Sequence, residues 1–304
     1  MTPWSHTTGS RYTPGWHEMT TPLLGYEPDY EEIIEFRLAE MLRWYDYWLK
    51  GIDNGIMNEP PIHYYTMGAS KEEAWRTSTQ WPLLEESRVS YLISEGPSGS
   101  FSSVNDGKLK TTEPSNEVGY DEYTVDCSTT TGKATRWTKG CGGPIKYPDM
   151  RENDSKALTY TTEPLKQYLE ITGHPILHLW VVSPRDVDFY AYLEEVDREG
   201  YSHYLTEGML KVSHRALSKP SFEYMGLPYH RSYKEDILPL GDEPVELVFD
   251  LLPVSNVFDE GHCIRLAITC ADKDNYQNRD LSGTKVTVYR NKKYRSFISL
   301  PIIH

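Results

Sequence analysis

The sequence has no long apolar run and no excess of basic residues. Hydrophobic residues make up 38% of its 304 residues, and no stretch approaches the ~20 apolar residues that a membrane-spanning helix requires. Lysine and arginine number 31 against 45 aspartate and glutamate, a formal net charge of -14. Proteins that bind nucleic acid present a basic surface to the phosphates, and no Lys/Arg-rich cluster is present here. We therefore expect neither nucleic acid nor a membrane as a partner.

Cysteine is scarce and lacks a metal-binding spacing. Cys127, Cys141, Cys263 and Cys270 form no C-x-x-C pair, so a zinc site is poorly supported. Cys263 and Cys270 lie an odd number of positions apart on one predicted strand, which places them on opposite faces. A bridge between Cys127 and Cys141 stays open, but we favour four thiols in a reducing compartment. Residues 1–28 show no leader pattern, so localisation is unknown, with the cytoplasm favoured.

Aromatic residues are plentiful, at 12% of the chain, which excludes a wholly disordered protein. Residues 1–28 have no periodic pattern and are predicted to be a loop. A helix is predicted from Asp29, with Glu32 at the capping-box position and Gly51 as the C-terminal cap. Apolar residues cover more than half of its circumference, so we expect neighbours on two sides. These residues are Ile33, Ile34, Phe36, Leu38, Met41, Leu42, Trp44, Tyr45, Tyr47, Trp48, Leu49 and Ile52.

The sequence after Asn54 is typical of β-structure. Runs of β-branched and aromatic residues predict strands at 62–66, 89–93, 176–182, 189–193, 245–249 and 263–268. Because no helical spans alternate with these runs, a parallel α/β sheet is disfavoured. The predicted fold is mainly β, an antiparallel β-sandwich of the jelly-roll type. Residues 96–154 are rich in Ser, Thr, Gly and Pro and are predicted to form long excursions over one end of the sandwich.

His6 is the first candidate for chemistry. By residue type alone it is a solvated histidine near a frayed terminus. In an α/β-hydrolase the nucleophile comes first, in a G-x-S-x-G elbow, followed by the acid and then the histidine. Residues 96–100, Gly-Pro-Ser-Gly-Ser, lack the final glycine, and no other window comes closer. If His6 is a catalytic base, its serine and carboxylate must be supplied from outside this chain.

The remaining candidates have plain structural interpretations. Residues 272–280 carry oxygen ligands at alternating positions, as in a calcium loop, but lack the turn glycine and the distal glutamate. Histidines on half-buried strands are more often packing residues than metal ligands; these are His174, His178, His203 and His214, with Asp186 and Asp188 nearby. Tryptophans in loop-like surroundings could form a sugar platform or be buried against a neighbouring domain; these are Trp16, Trp75, Trp81 and Trp137.

Several motifs together resemble one family. Pro3-Trp4-Ser5-His6, followed by a long helix ending in residues 44–52 (WYDYWLKGI), is similar to the junction between the hydrolase domain and the jelly roll in CocE/NonD serine hydrolases. This family includes cocaine esterase and the Xaa-Pro dipeptidyl-peptidases. Further matches follow in order at residues 61–68, 81–83, 158–165, 171–173, 188–189, 205–208, 255–258, 261–266 and 300–303.

The resemblance implies an organisation and a mechanism. Residues 1–55 would be the C-terminal remnant of an α/β-hydrolase domain, with the catalytic-histidine loop and last helix. Residues 56–304 would be a jelly roll of galactose-binding-like topology. His6 would be the general base, with no metal and no organic cofactor. Residues 229–232 (YHRS) resemble a motif in a loop that faces the hydrolase domain.

The resulting hypothesis is the C-terminal part of a CocE/NonD-type serine hydrolase. The complete enzyme would hydrolyse a small ester or amide, whereas this chain, with only the triad histidine, is expected to be inactive alone. Its partner would be the missing α/β-hydrolase portion, in the same gene or a separate chain, or a second copy of itself. The alternatives are a non-catalytic carbohydrate-binding β-sandwich and a structural domain that recruits a partner; fold alone does not separate them.

Overall fold

The computed structural model describes residues 30–70, 72–99, 102–138, 145–277 and 280–304, and of residues 30–37 only the backbone. The described chain divides into two compact units. The first contains the described residues up to Leu84 together with those between Ala134 and Lys146. The second contains Glu85–Lys133 and Tyr147–His304. The predicted domain boundary at residue 55 stays a prediction.

The described chain has two α-helices and three single-turn 3-10 helices, Ile56–Asn58, Val212–His214 and Lys234–Asp236. Helix α1 is Tyr30–Lys50 and the single-turn helix α2 is Arg151–Asp154. The first unit adds the strands β1 Ile62–Tyr65 and β2 Trp75–Ser78, which pair antiparallel. In chain order, the strands of the second unit are β3 Glu86–Ser94, β4 Gly107–Lys110, β5 Tyr120–Thr124, β6 Leu158–Thr161, β7 Leu169–Gly173, β8 Ile176–Val182, β9 Asp188–Val196, β10 Ser202–Lys211, β11 Val245–Asp250, β12 Val254–Phe258, β13 Cys263–Thr269, β14 Lys285–Tyr289 and β15 Phe297–Ile303.

Within the described residues of the second unit, these strands form one continuous hydrogen-bonded sheet. Its main path runs β10-β9-β13-β6-β4-β3-β15-β8-β14-β5, with β11 paired to β8 and β7 joining β15 to β12. The pairings are antiparallel, with the exception of β4 and β6, which run parallel with Gly107 opposite Tyr160. A path of this length, with its strands buried on one or both faces, is consistent with a β-sandwich.

Strand β13 is the centre of the second unit. All seven of its residues are buried, and it lies between β6 and β9. Ile264, Leu266 and Ile268, which alternate along β13, therefore lie on one of two buried faces. Strand β8 differs, because its residues alternate between buried and half-buried along its whole length. One face of β8 thus packs on the core and the other is directed outward.

The structure confirms the mainly β prediction and the long helix. Gly51 has a φ of 68°, and its amide donates to the Tyr47 carbonyl at 3.1 Å, which is an αL C-terminal cap. Asp29 and the side chain of Glu32 lie outside the described part of the chain. Residues 96–154 contain β4, β5 and α2 between loops. No described helix is both long and apolar enough to cross a membrane.

Candidate functional site

The apolar face of α1 is the most unusual surface of the first unit. Leu49 is 77% exposed and Trp48 is 55% exposed. Soluble proteins rarely leave a contiguous group of large apolar side chains in water without a partner. We call this surface the apolar helix face; its side chains are Leu38, Met41, Leu42, Trp44, Tyr45, Trp48, Leu49 and Ile52.

Polar contacts hold another part of the same helix to the segment that follows it. Arg43 pairs with Glu40 at 2.7 Å and also with Glu59. The side chain of Asn54 donates to the Arg43 carbonyl at 2.7 Å. The Arg43 part of the helix is thus partnered within its own unit. The ring contacts of the apolar helix face among the described residues stay within the helix, Trp44 with Trp48 at 5.7 Å and Tyr47 with Trp48 at 5.2 Å. The prediction of apolar neighbours on two sides of the helix stays a prediction.

A second apolar surface lies in the connection between β10 and β11, residues 212–244, here the β10–β11 loop. The exposed Phe222 lies edge-to-face against the half-buried Tyr224 and Tyr229, with ring centroids 5.9 and 5.8 Å apart. Such pairs stabilise by about 0.5–1.5 kcal/mol beyond burial. The exposed apolar residues of the loop are Leu217, Phe222, Met225, Tyr233, Ile237, Leu238 and Leu240.

Hydrogen bonds order the β10–β11 loop despite its lack of strands. The two ring nitrogens of His230 lie 3.1 Å from the Ala216 carbonyl and 2.8 Å from the Val248 carbonyl. Arg231 forms a fork-like pair with Asp236, with Nε at 3.0 Å. A loop held in this way presents its apolar side chains from a defined backbone, which suits a docking surface.

A buried charge network lies between β6, β9 and β13. Arg265 is fully buried and donates to Asp154 at 2.8 Å and to Thr161 at 3.1 Å. Glu194, opposite Arg265 in the sheet, accepts a hydrogen bond from Ser202 at 2.8 Å and contacts the Asp154 carboxyl. Burial raises the pKa of Glu194 well above its ordinary value, and the Asp154 charge raises it further. Two carboxyls facing one guanidinium in this way share a proton, which leaves the network neutral.

Asp272, the first residue of the calcium-like run, has a structural role. Its carboxylate is 2% exposed and accepts from the backbone amide and the hydroxyl of Thr131, from Tyr192 at 3.2 Å and from Asn275 at 2.8 Å. These donors occupy the oxygens that a cation would need. Among the described residues, no group of three or more His, Cys, Asp or Glu is placed to hold a metal.

The predicted histidine candidates are dispersed. His174 contacts Asp250, His178 contacts Glu246 and His203 contacts Asp197, each at 3.0 Å. Asp186 instead accepts from the amide and hydroxyl of Ser213, and Asp188 faces Lys211 at 3.5 Å. Each of these three histidines has its own carboxylate, and none shares one with another, as is typical of packing residues. The fourth candidate, His214, is half-buried at the end of the single turn Val212–His214 that follows β10.

The described candidate tryptophans do not form a shared aromatic platform. Trp75 and Trp81 lie edge-on to Tyr65 and Tyr64 at 5.3 and 5.8 Å, and Trp137 is 44% exposed. Trp16 lies outside the described residues. Within the described ranges the cysteines Cys127, Cys263 and Cys270 are thiols, and Cys141 lies outside them.

No described residues form a nucleophile–base–acid triad. His6 lies outside the described residues, so its role as general base stays a prediction. Ser87 does contact His304, with Oγ 2.7 Å from Nε2. However, Ser87 lies within strand β3 opposite Ile302, and no carboxylate of the described chain hydrogen-bonds the His304 ring. A catalytic serine needs an exposed elbow and an oriented base, and this pair has neither.

The family model for the "X-Pro dipeptidyl-peptidase C-terminal non-catalytic domain" matches residues 54–300. The chain belongs to this family. A Mycobacterium bovis protein described as "Putative serine esterase" is 38% identical over 307 residues, and cocaine esterase of a Rhodococcus species is 25% identical over 278 residues. These alignments cover 99% and 86% of this chain but 45% of each relative. The chain thus spans about half the length of the curated relatives that it matches.

Solved structures of the family share the fold. A CocE/NonD family hydrolase from Staphylococcus aureus superimposes with a TM-score of 0.66 at 17% identity, covering 91% of this chain and 48% of that one. An α-amino acid ester hydrolase gives a TM-score of 0.65 at 20% identity, covering 99% and 49%. At these identities the likeness shows the fold alone. The family model and the Mycobacterium bovis relative confirm the resemblance inferred from the motifs at the level of the family.

Proposed function

We propose that this chain is the C-terminal part of a CocE/NonD-type serine hydrolase. The complete enzyme would cleave a small ester or amide through an acyl-enzyme intermediate. The observation that carries the proposal is the apolar helix face, which is left in water in a chain that spans 45% of its relatives' length. An α/β-hydrolase domain that packs on this face would bury it, and each fully buried Leu or Trp would contribute about 1.5–3 kcal/mol.

In this proposal α1 is the last helix of the hydrolase domain. Two observations support this assignment: α1 ends at Lys50, and the match to the non-catalytic domain begins at residue 54. The boundary near residue 55 and the jelly-roll, galactose-binding-like topology of the remainder belong to the same proposal. The β10–β11 loop, which contains the YHRS motif at 229–232, would be a further contact with the hydrolase portion.

His6 would act as the general base. It would take the proton of a serine hydroxyl during acylation and return it to the leaving group, while a carboxylate orients its ring. In α/β-hydrolases the serine and the acid precede the histidine along the chain. Because the 304 residues contain no G-x-S-x-G elbow, both groups would come from a hydrolase portion outside these residues, and no metal or organic cofactor enters this mechanism.

The esterase activity of the purified chain alone is the first test of whether the nucleophile lies outside it. We expect the purified 304-residue protein to hydrolyse p-nitrophenyl acetate and butyrate no faster than its His6→Ala variant, and to take up no fluorophosphonate probe. An esterase rate that the probe abolishes, together with labelling of one serine, would refute the proposal that the nucleophile lies outside this chain.

A further inference from the structure

A continuous stripe of aromatic rings crosses the outward face of the sheet in the second unit. Tyr120 of β5 contacts Tyr289 of β14, with ring centroids 6.1 Å apart. Tyr289 contacts Tyr294 at 5.3 Å, and Tyr294 contacts Trp180 of β8 at 5.0 Å. We call these four residues the aromatic stripe.

The strands place the stripe on the outer side of the sheet. On β8, Leu179 and Val181 are fully buried whereas Trp180 is half-buried. On β14, Val288 is fully buried whereas Tyr289 is half-buried and directly opposite Tyr120, which is 48% exposed. Outward positions of an antiparallel sheet are normally polar. Burial in the core therefore does not explain a row of aromatic rings at these outward positions.

Hydrogen-bonding groups border the rings. Glu246 is opposite Trp180 on β11, and Glu122 is exposed two residues after Tyr120 on the same face of β5. Lys293 holds its ammonium 4.7 Å from the centre of the Tyr294 ring. The border therefore offers carboxylates and a cation next to apolar ring surfaces, a combination that suits a ligand with an apolar face and many hydroxyl groups.

The composition of the stripe separates it from the other two apolar surfaces. The apolar helix face and the β10–β11 loop expose mainly Leu, Ile and Met beside their aromatic residues. The stripe consists of Tyr and Trp, which carry a polar edge on an apolar ring. Stacked nucleic-acid bases would also suit such rings, but a chain of net charge -14 repels phosphates.

We propose that the aromatic stripe binds a neutral carbohydrate chain, with the C–H faces of successive sugar rings on Tyr120, Tyr289 and Trp180. The sugar hydroxyls would bond to the carboxylate border and to the Lys293 ammonium that lies over Tyr294. Neighbouring rings are inclined by 45° to 62° rather than coplanar. An inclined row follows a twisted, soluble chain and cannot lie flat on a crystalline surface. The ligand is therefore a soluble polysaccharide and not crystalline cellulose. This inference is independent of the proposed hydrolase activity.

Native affinity electrophoresis of the 304-residue chain tests this inference, in gels containing hydroxyethylcellulose, soluble galactan or glycogen. We expect at least one polysaccharide to retard the protein and microcrystalline cellulose to leave it in the supernatant. Trp180→Ala and Tyr120→Ala should each weaken the retardation by about fivefold to tenfold. Trp137→Ala should not, since that exposed tryptophan lies in the first unit.

Three results would overturn the inference. They are retardation by none of the three polysaccharides, undiminished retardation of the Tyr120→Ala variant, and loss of retardation on Trp137→Ala alone. Circular dichroism establishes that each variant is folded. Should Trp180→Ala fail to fold, Tyr120→Ala decides, because that ring is 48% exposed and its removal leaves the core intact. Calorimetric titration with oligosaccharides of the retarding polymer then gives the affinity.

Discussion

Replacing Glu194 by glutamine is expected to stabilise the protein at neutral pH. Burial raises the pKa of Glu194 well above its ordinary value, and the Asp154 charge adds to this, so the folded state holds a proton that the unfolded state has released. A glutamine keeps the same shape, accepts the Ser202 hydroxyl that now bonds Glu194 at 2.8 Å and donates its amide to Asp154 without needing that proton.

The size of the effect follows from proton linkage. A carboxyl that is protonated only in the folded state loses about 1.4 kcal/mol of stability for each pH unit above its unfolded pKa of about 4.3. At pH 7 the ceiling is therefore about 3.7 kcal/mol, reached if Glu194 stays protonated throughout. The wild-type free energy of unfolding should fall as the pH rises from about 4.3, and Glu194→Gln should remove this slope.

The neighbouring carboxyl provides a matched control of opposite sign. Asp154 lies 2.8 Å from the fully buried Arg265, so Asp154→Asn removes the carboxyl that hydrogen-bonds the guanidinium and leaves Glu194 to release its proton as the counter-charge. The loss of stability should therefore be smaller than the about 3–5 kcal/mol of a buried charge left unpaired. Glu199 is exposed in a turn, and Glu199→Gln should change stability by less than about 0.5 kcal/mol.

Urea unfolding followed by far-ultraviolet circular dichroism between pH 4.5 and 8 measures these differences. The account predicts that Glu194→Gln gains stability over wild type as the pH rises and equals it near pH 4.5. If Glu194→Gln instead lowers stability by the same amount at every pH, then Glu194 is a charged partner of Arg265 and the shared-proton interpretation is wrong.

Two further changes test the surfaces and the packing. The isolated chain should self-associate through the apolar helix face, so Leu49→Asp should raise the dissociation constant measured by light scattering at least about tenfold. Leu84 is equally exposed but lies outside that face, and Leu84→Asp should leave the constant unchanged. Equal effects of the two variants would contradict the assignment. A Cβ at Gly208 would lie 2.6 Å from the Asp250 carbonyl oxygen, so Gly208→Ala should lower the free energy of unfolding in urea by about 1–3 kcal/mol. A Cβ at Gly241 would have its nearest neighbour at 4.0 Å, and Gly241→Ala should leave stability unchanged. An equally stable Gly208→Ala variant would show that β10 and β11 are less closely packed than described.

Local patterns were sufficient for the elements of the fold. The run at 176–182 matches β8 residue for residue, and the run at 263–268 lies within β13. The glycine cap at residue 51 also follows from local chemistry. These features depend on neighbours within a few positions, so a single sequence contains the information for them.

Features that depend on distant residues could not be predicted in the same way. Arg265 and Asp154 are 111 positions apart, and Glu194 lies on a third element. None of the three has a local signal, because the network exists only once β13 lies between β6 and β9. The aromatic stripe is similar: its four rings come from three strands and a turn, and only strand order brings them together.

The family assignment rested on motif order rather than on any single site. Pro-Trp-Ser-His at residues 3–6 is meaningful only with the helix and the β-rich segments that follow it, and the family match covers residues 54–300 of those segments. The sequence predicts that the apolar helix face needs a docking partner, but it does not predict which partner. Twelve apolar residues around one helix predict neighbours without identifying them.

Joining this chain to a hydrolase portion tests the central claim most directly. The segment of the Mycobacterium bovis relative that precedes the matched region is fused to residue 1, and p-nitrophenyl butyrate hydrolysis is measured with the His6→Ala and His17→Ala variants beside it. The account predicts an active fusion that loses at least about 10³-fold in kcat on His6→Ala and is unchanged by His17→Ala. An active fusion in which His6→Ala retains full activity would contradict it.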